Sequence, residues 1–155
     1  MFSISHQPLD LDALKAVLPD PGAGACVTFE GWIRDLNDDK SVTALDYEVY
    51  EELALSEGNQ VIAEASKKFP IIAASCAHRA GHLEIGECAV WVGVSSAHRD
   101  AAFLACRYII DEIKKRLPIW KKEFFPDGNT GWVNCEYPDG NGNPPSTPPP
   151  KRQKP

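Results

Sequence analysis

The chain has 155 residues, 43% of them hydrophobic, which suits one domain that buries a core without disulfides or a structural metal. A formal charge of −6 argues against a protein that coats polyanions with its whole surface, and no apolar run is long enough for a transmembrane helix. The charge is uneven, because residues 1–100 sum to −9 and residues 101–155 sum to +3. The N-terminus has no basic segment followed by an apolar run, so we expect no secretory signal and a cytoplasmic location.

Apolar spacing alternates between the helix and strand periods along the chain. In the first half of the chain we predict a short helix that begins after Asp10 and ends before Pro19, then strands over 24–34 and 42–50 and a helix over 51–69. In the second half we predict strands over 71–78 and 88–94, joined by a connection over 81–86. A helix over 98–116, ended by Pro118, and a strand over 130–136 complete the domain. This mixture predicts an α+β fold with a largely antiparallel sheet.

Helical periodicity also predicts which side chains face the core. Leu53 belongs to the predicted core face of the 51–69 helix, whose middle is weakened by Gly58, and Phe103 belongs to the core face of the 98–116 helix. Ser95 and Ser96 follow an apolar strand and precede that second helix, so we predict that they act as N-caps.

The C-terminal segment differs in composition from the rest of the chain. Seven of the 18 residues over 138–155 are proline and none is a large aliphatic, so burial cannot offset the entropy of ordering this segment. We therefore predict one folded domain over residues 1–137 and a disordered tail over residues 138–155.

Neither the cysteines nor the histidines have the spacing of a metal or redox site. No histidine pair has metal-ligand spacing and no C-x-x-C pair occurs, so we predict no metal, and nothing supports a catalytic cysteine. We also expect no cofactor on this chain. We interpret the five scattered cysteines as free, mostly buried thiols: Cys26, Cys76, Cys88, Cys106 and Cys135.

The densest cluster of charge lies over residues 114–122, where five of nine residues are basic. Lys114 borders the apolar stripe of the preceding helix, and Lys121 lies on an extended segment anchored by Ile119 and Trp120. Partial burial and cationic neighbours lower a lysine pKa toward the range useful for acid–base or covalent chemistry. For these two lysines, a catalytic role and a solvated basic face at a helix C-terminus fit the sequence equally well. We expect the other basic residues of the stretch to be solvated: Lys115, Arg116 and Lys122.

Other basic residues are candidates for binding an anion. His98 and Arg99 fall at the predicted start of the 98–116 helix, where free N–H groups and the helix dipole favour a phosphate or carboxylate, although a helix start with exposed polar residues is the simpler interpretation. His78 and Arg79, at a strand end, are assigned a structural role. Arg34 either binds a phosphate through two of its guanidinium nitrogens or pairs with a nearby acid, which is the more common case: Asp35, Asp38 or Asp39.

Short motifs follow one another from residue 24 to residue 133. In order, they are Gly24-Ala25, Phe29-x-Gly31-x-x-Arg34, Leu45-x-Tyr47-Glu48-x-Tyr50, His78-Arg79-x-Gly81-x-Leu83-x-Ile85-Gly86, Ser95-x-Ala97-His98-Arg99, Asp111-x-x-Lys114, Pro118-Ile119-Trp120-Lys121-Lys122-Glu123 and Asp127-Gly128…Trp132-Val133. Each motif alone is weak, but the ordered set resembles the large, catalytic subunit of molybdopterin synthase. The resemblance covers nearly the whole predicted domain and excludes the proline-rich segment.

The resemblance implies an α/β hammerhead fold with an attached β-rich portion, and a sulfurtransferase of molybdenum cofactor biosynthesis. Enzymes of this family convert cyclic pyranopterin monophosphate (precursor Z) into molybdopterin by installing two dithiolene sulfurs. The sulfur arrives as a thiocarboxylate on the C-terminal Gly-Gly of a small ubiquitin-like sulfur-carrier subunit. Two large subunits form a central homodimer with one small subunit at each end, which makes a heterotetramer.

The resemblance also implies the site residues. Arg34, His98 and Arg99 match substrate-binding positions for the pterin phosphate, with part of each pocket contributed across the dimer. Lys114 matches the lysine beside the incoming thiocarboxylate, and Lys121 matches the second active-site lysine. Both lysines are therefore expected to bind substrate and to take part in catalysis, whereas no cysteine is required because the partner carries the sulfur.

Two alternatives belong to other functional classes. One is a non-enzymatic anion- or RNA-binding module that uses the 114–122 stretch and Trp120. The chain lacks the glycine-rich aromatic motifs of ribonucleoprotein domains and most of it is acidic, so we expect it to bind neither nucleic acid nor a membrane. The other is a scaffold-only homologue, which is disfavoured because all five implied site residues are present: Arg34, His98, Arg99, Lys114 and Lys121.

Overall fold

A computed structural model describes residues 1–37 and 39–134, so the predicted tail over 138–155 lies outside the described residues. The elements are β1 (Phe2–Ser5), α1 (Leu11–Lys15), β2 (Ala25–Trp32), β3 (Leu36–Asn37), β4 (Lys40–Ser41), β5 (Ala44–Val49), α2 (Glu51–Lys68), β6 (Ile71–Arg79), β7 (Gly81–Glu84), β8 (Cys88–Ser96), α3 (Arg99–Arg116), β9 (Ile119–Phe124) and β10 (Thr130–Asn134). None of the helices in this part of the chain is both long and apolar enough to cross a bilayer.

Four strands form the sheet that carries the main core, in the order β1-β6-β8-β2, which we call the helix-covered sheet. β1 runs parallel to β6, and the other neighbours are antiparallel. Inward and outward residues alternate along β2, and Ala25, Val27 and Phe29 pack against the core under α2 and α3. Leu18, just after α1, packs beside Gly93 on the opposite face of the sheet.

A second sheet has the strand order β10-β9-β5-β7, and all its neighbours are antiparallel. The predicted connection over 81–86 contains β7, which the sequence analysis missed, as it also missed β1. Gly81 is the first residue of β7, follows β6 closely, and has a φ of 85°, a conformation that glycine adopts without strain. This residue lets the chain leave the helix-covered sheet and enter the second one, so the two sheets meet at the end of β6. The α+β class and the largely antiparallel pairing are as predicted.

The boundaries of α2 and α3 match the predictions to within one residue, whereas α1 ends at Lys15, before the predicted end at Pro19. Two predicted core residues of α2 and α3 do not face the core. Phe103 is 60% exposed and Leu53 is 45% exposed. Each lies next to a buried alanine, Ala102 or Ala54, and one residue rotates a helix by 100°, so each points past the edge of its buried stripe. The buried stripe of α3 consists of Ala102, Ala105, Cys106, Ile109, Ile110 and Ile113.

The predicted helix caps have mixed outcomes. Asp10 caps α1 as predicted, because its carboxylate accepts a hydrogen bond from Ala13 N–H at 2.9 Å. Ser95 and Ser96 are not N-caps, since β8 continues through both and pairs with β2 and β6 there. His98 occupies the N-cap position of α3 without a side-chain cap.

Candidate active site

Lys121 is paired with a buried carboxylate. Lys121 and Glu123 are two residues apart on β9 and so point to the same side of the strand. The Lys121 Nζ lies 3.3 Å from Glu123 Oε1, and the Glu123 side chain is only 4% exposed. A buried carboxylate is costly unless it is paired, so Glu123 and Lys121 hold each other in place.

The same carboxylate connects Lys121 to Arg34. Asn37 Nδ2 donates to Glu123 Oε1 at 2.7 Å, and Arg34 Nη2 donates to Asn37 Oδ1 at 3.2 Å. The Arg34 hydrogen bond thus goes to Asn37 and not to Asp35 or Asp39, and Asp38 lies outside the described residues. Arg34 is exposed, so its guanidinium can still bind an anion. The sequence analysis missed Asn37 and assigned no role to Glu123, although Glu123 stands in one of the quoted motifs.

Lys114 lies at one end of an open groove between α3 and β2. The groove has a volume of about 720 Å³. Its walls are mainly apolar, and its charged residues come from α3. Lys114 makes no ion pair within residues 1–37 and 39–134, in contrast to Lys121. The residues that line the groove include Val27, Phe29, Phe103, Leu104, Arg107 and Asp111.

The buried side chain of His78 lies near Lys114 and contacts Tyr47, the strand neighbour of Lys121. His78 Nδ1 is 2.7 Å from the Arg79 carbonyl oxygen, which only accepts, so the ring donates there. The pKa of His78 is lowered to about 4, mainly by burial; the hydrogen bond to the Arg79 carbonyl opposes this shift, and the nearby charge of Lys114 contributes to it. The Tyr47 ring meets His78 edge-on at 5.1 Å, and Tyr47 is the cross-strand partner of Lys121. The structure therefore brings Lys114, Lys121 and Arg34 to one region.

His98 and Arg99 lie far from Lys114 and Arg34 in the structure. Arg99 is the first residue of α3 and Lys114 is fifteen residues later, which places them roughly 22 Å apart along the helix axis. In the sheet, the start of β2 pairs with the end of β8, so His98 and Arg34 lie at opposite ends of β2. One copy of the chain does not bring all five predicted site residues together.

The other basic residues of the 114–122 stretch do not form a free basic surface. Arg116 is not solvated as predicted: its side chain is 24% exposed, and it bonds Glu64 at 2.6 Å and Glu57 at 3.0 Å. This contact is the main reason that the pKa of Glu64 is lowered to about 2. Lys115 pairs with a carboxylate at 3.1 Å, as does Lys121 at 3.3 Å. The RNA-binding alternative is weakened, because most of its cations are already paired.

The thiols differ in exposure. Cys26 is exposed, Cys88 is half-buried, and Cys76 and Cys106 are buried. Burial raises the pKa of Cys106 to about 11 and also raises the pKa values of Cys76 and Cys88. Cys135 lies outside the described residues. Within those residues, no three His, Cys, Asp or Glu side chains are grouped so that they could hold a metal ion.

Comparison with known proteins places this geometry in a family. Residues 4–116 match the family model described as MoaE protein. A molybdopterin synthase catalytic subunit from Thermoplasma volcanium is 51% identical over 112 residues, which are 72% of this chain and 82% of that one. Another, from Nostoc, is 39% identical over 139 residues, which are 87% of this chain and 84% of that one.

Solved structures give the same result for the fold. The crystal structure of molybdopterin synthase from Staphylococcus aureus matches with a TM-score of 0.80 and 34% identity, covering 84% of this chain and 94% of that one. A complex of subunits 1 and 2 of the molybdopterin-converting factor from Helicobacter pylori matches with a TM-score of 0.66 at 21% identity, covering 81% of this chain and 86% of that one. These matches confirm the fold that the sequence resemblance implies.

Proposed function

Because the chain belongs to the MoaE family, whose members are catalytic subunits of molybdopterin synthase, we propose that it transfers sulfur to precursor Z in molybdenum cofactor biosynthesis. The observation that carries the proposal is that Lys114, at one end of an apolar groove, lies in the same region of the structure as Lys121 and Arg34. The sulfur donor and the cyclic phosphate of the substrate are both anionic. Cations in this position offset the repulsion between them.

The groove is the proposed entry path for the sulfur donor. The donor is the thiocarboxylated Gly-Gly C-terminus of a small ubiquitin-like subunit, and an extended tail of small residues fits a channel of this kind. The tail would run along α3 and end at Lys114, which has no carboxylate partner in the described residues to compete with the thiocarboxylate. In this role Lys114 positions the donor sulfur and assists release of the acyl group.

Lys121 and Arg34 are proposed to act on the pterin phosphate. Opening the cyclic phosphate leaves negative charge on an oxygen, and a preorganised cation stabilises that charge. Glu123 and Asn37 hold the two cations in one hydrogen-bonded chain, so neither cation has to be ordered during the reaction. The sulfur addition also requires proton transfer, for which Lys121 is the proposed group.

A second copy of the chain is proposed to complete each site. His98 and Arg99 are exposed and lie roughly 22 Å from Lys114 along α3. In a homodimer they would bind the phosphate in the site of the partner, and one small subunit at each end would give the heterotetramer. The proposed reaction takes place in the cytoplasm and requires no metal or cofactor on this chain, because the partner carries the sulfur.

Single-turnover conversion of precursor Z with thiocarboxylated small subunit tests the proposal. We expect Lys114→Ala and Lys121→Ala each to slow formation of the dithiolene product by about 100-fold or more, since each removes a cation that stabilises the transition state. Lys115→Ala is the matched control, because Lys115 is an exposed neighbour that pairs with Glu112. Its rate should equal that of the wild type.

The Lys121 variant needs its own control because it leaves Glu123 buried without its cation. The double variant Lys121→Ala/Glu123→Gln removes both charges and restores a neutral, hydrogen-bonding side chain beside Asn37. We expect it to fold with near wild-type stability and to remain inactive. Wild-type rates in both single lysine variants would refute the assignment of the active site.

A further inference from the structure

A separate pocket lies beneath α1, on the face of the helix-covered sheet opposite α2 and α3. It has a volume of about 360 Å³ and lies between the segment that follows α1 and the first residues of β2. Leu18 forms part of its apolar wall, and Lys15, Asp20, Cys26 and Ser95 supply its polar groups. None of these residues takes part in the proposed sulfur transfer.

Ser95 carries an unsatisfied hydroxyl group in this pocket. The residue is 1% exposed, and its Oγ has no hydrogen-bond partner in the described part of the chain. The next residue, Ser96, is equally buried, but its hydroxyl donates to the His98 carbonyl at 2.7 Å. A buried hydroxyl without a partner is unfavourable, so a ligand that accepts its hydrogen bond would be stabilised here.

The thiol of Cys26 is adjacent to that hydroxyl. Cys26 and Ser95 are direct partners across β2 and β8, so their Cβ atoms are about 5 Å apart on the same face. Cys26 is exposed, whereas burial raises the pKa values of Cys76, Cys88 and Cys106. Thiol–disulfide exchange requires an accessible thiolate, so Cys26 is the most reactive of the described thiols.

Two opposite charges complete the pocket. Lys15 and Asp20 both line it, and neither forms an ion pair within residues 1–37 and 39–134. The Asp20 carboxylate is oriented by the Gly22 N–H, which donates to it at 2.8 Å. A zwitterionic ligand would place a carboxylate near Lys15 and an ammonium group near Asp20.

We propose that Cys26 is a modification site that forms a mixed disulfide with a small zwitterionic thiol. The Cys26 thiolate attacks one sulfur of the symmetric disulfide of that thiol. The disulfide bond of the reagent breaks, and a new bond joins Cys26 to one half of it. Cys26 is thereby oxidised, the other half is reduced and leaves as a thiolate, and this thiolate takes up the proton that Cys26 lost.

Two disulfide probes test this site on the full chain. Oxidised glutathione carries the charges that the pocket would recognise, whereas 2-hydroxyethyl disulfide is uncharged. Peptide mapping by mass spectrometry gives the rate at each cysteine separately. With oxidised glutathione, we expect Cys26 to react at least about tenfold faster than Cys88, because Cys26 is exposed and unhindered.

Variants of the pocket separate recognition from simple exposure. Lys15→Ala should slow the reaction of Cys26 with oxidised glutathione about threefold and leave its reaction with 2-hydroxyethyl disulfide unchanged, since a surface charge contributes modestly to encounter. Ser95→Ala should slow the reaction with oxidised glutathione about two- to fivefold through the lost hydrogen bond. Lys67→Ala, on a distant exposed lysine, is the matched control and should change neither rate.

The outcomes are distinct. If Lys15→Ala slows the reaction with oxidised glutathione and not the reaction with 2-hydroxyethyl disulfide, the pocket is a binding site for a zwitterionic thiol. Equal rates for wild type, Lys15→Ala and Ser95→Ala with both probes would mean that Cys26 is only an exposed thiol, and the proposal would be wrong. Thermal unfolding of Ser95→Ala verifies that the variant is folded; removal of an unsatisfied hydroxyl should leave it at least as stable as the wild type.

Discussion

At the scale of single residues, the two site lysines have contrasting surroundings. Lys121 pairs with a buried carboxylate at 3.3 Å, whereas Lys114 lies near the buried His78 ring and has no ion pair in the described residues. A carboxylate beside Lys114 would compete with the proposed anionic donor, and a second cation would repel Lys114 itself. A neutral imidazole avoids both effects, and burial keeps His78 neutral at pH 7.

Titration of His78 is expected to lower the free energy of unfolding as the pH falls below 6.5. Its pKa is about 4 in the folded state, against an ordinary value of 6.5, so the unfolded chain binds a proton that the folded chain does not. The contribution of neutral His78 is therefore fully present above pH 6.5 and is lost as the pH falls toward 4. The difference in pKa corresponds to about 3 kcal/mol at most in the free energy of unfolding.

Urea unfolding of wild type and His78→Asn between pH 7 and pH 4.5 tests this effect. Asparagine can place a donor where the His78 Nδ1 lies, so it retains the hydrogen bond to the Arg79 carbonyl but does not titrate. We expect the variant to lose less free energy of unfolding over this range than the wild type. Glu64 does not obscure the comparison, because its pKa is lowered to about 2 and its contribution is lost below its ordinary pKa of 4.5. Equal slopes in the two proteins would show that His78 is not the titrating group.

At the scale of elements, the contact between α2 and β1 reverses the usual effect of a glycine in a helix. Replacing a mid-helix glycine with alanine usually stabilises a helix by about 1 kcal/mol. A Cβ atom at Gly58 would overlap the ring of Phe2, which is 2% exposed, and overpacking of this kind costs about 1–3 kcal/mol. We therefore expect Gly58→Ala to lower the free energy of unfolding by about 1 kcal/mol, measured by urea denaturation.

Two further variants separate packing from helix propensity. Ala63→Gly, on the exposed face of α2, reports propensity alone and should cost about 1 kcal/mol. In a Phe2→Leu background the ring is absent, so Gly58→Ala should become neutral or stabilising. Stabilisation by Gly58→Ala in the otherwise wild-type chain would contradict the packing argument.

Elements with a strong apolar period could be predicted from the sequence, and those defined by distant partners could not. The alternation in β2 and the buried stripe of α3 follow from local spacing, which requires no knowledge of the partner. Phe103 has the same apolar character as that stripe but is 60% exposed, because spacing does not distinguish a core face from the wall of a groove. β7 has four residues, too few for a periodic signal, and it forms only because β5 pairs with it.

The candidate site shows the same limit. The ordered motifs predict both lysines as site residues, but Glu123 and Asn37 are 86 positions apart in sequence and nothing local connects them. Arg116 was expected in water for a similar reason, since its partners Glu57 and Glu64 lie on another helix. Ion pairs and hydrogen bonds between distant residues depend on tertiary packing, which the spacing of one segment does not encode.

At the scale of the whole molecule, the proposed site is divided between two ends of one chain. Arg34, Lys114 and Lys121 lie at one end of the helix-covered sheet, and His98 and Arg99 lie at the other. If each active site combines the first group from one copy with the second group from its partner, a dimer holds two sites. A dimer in which one copy lacks a residue of the first group and the other copy lacks a residue of the second group then keeps one intact site.

Subunit mixing tests this arrangement. Lys114→Ala and His98→Ala are expected to be inactive alone in the conversion of precursor Z. When equal amounts are dissociated and reassembled together, half of the dimers contain one copy of each, and one of their two sites has every group. Activity should therefore recover to about a quarter of the wild-type value, as expected for random exchange between the two copies of a symmetric dimer.

A second mixture controls for nonspecific rescue. Lys114→Ala mixed with Lys121→Ala should recover no activity, because both residues belong to the same copy in each site and every site of the mixed dimer lacks one lysine. Recovery in this mixture would mean that the two lysines of one site come from different copies. Absence of recovery with His98→Ala would mean that His98 acts in the same copy as Lys114. That result would require α3 to bring residues roughly 22 Å apart into one pocket, which a straight helix of this length cannot do. The mixing experiment thus tests the assembly and the geometry of a single chain with one measurement.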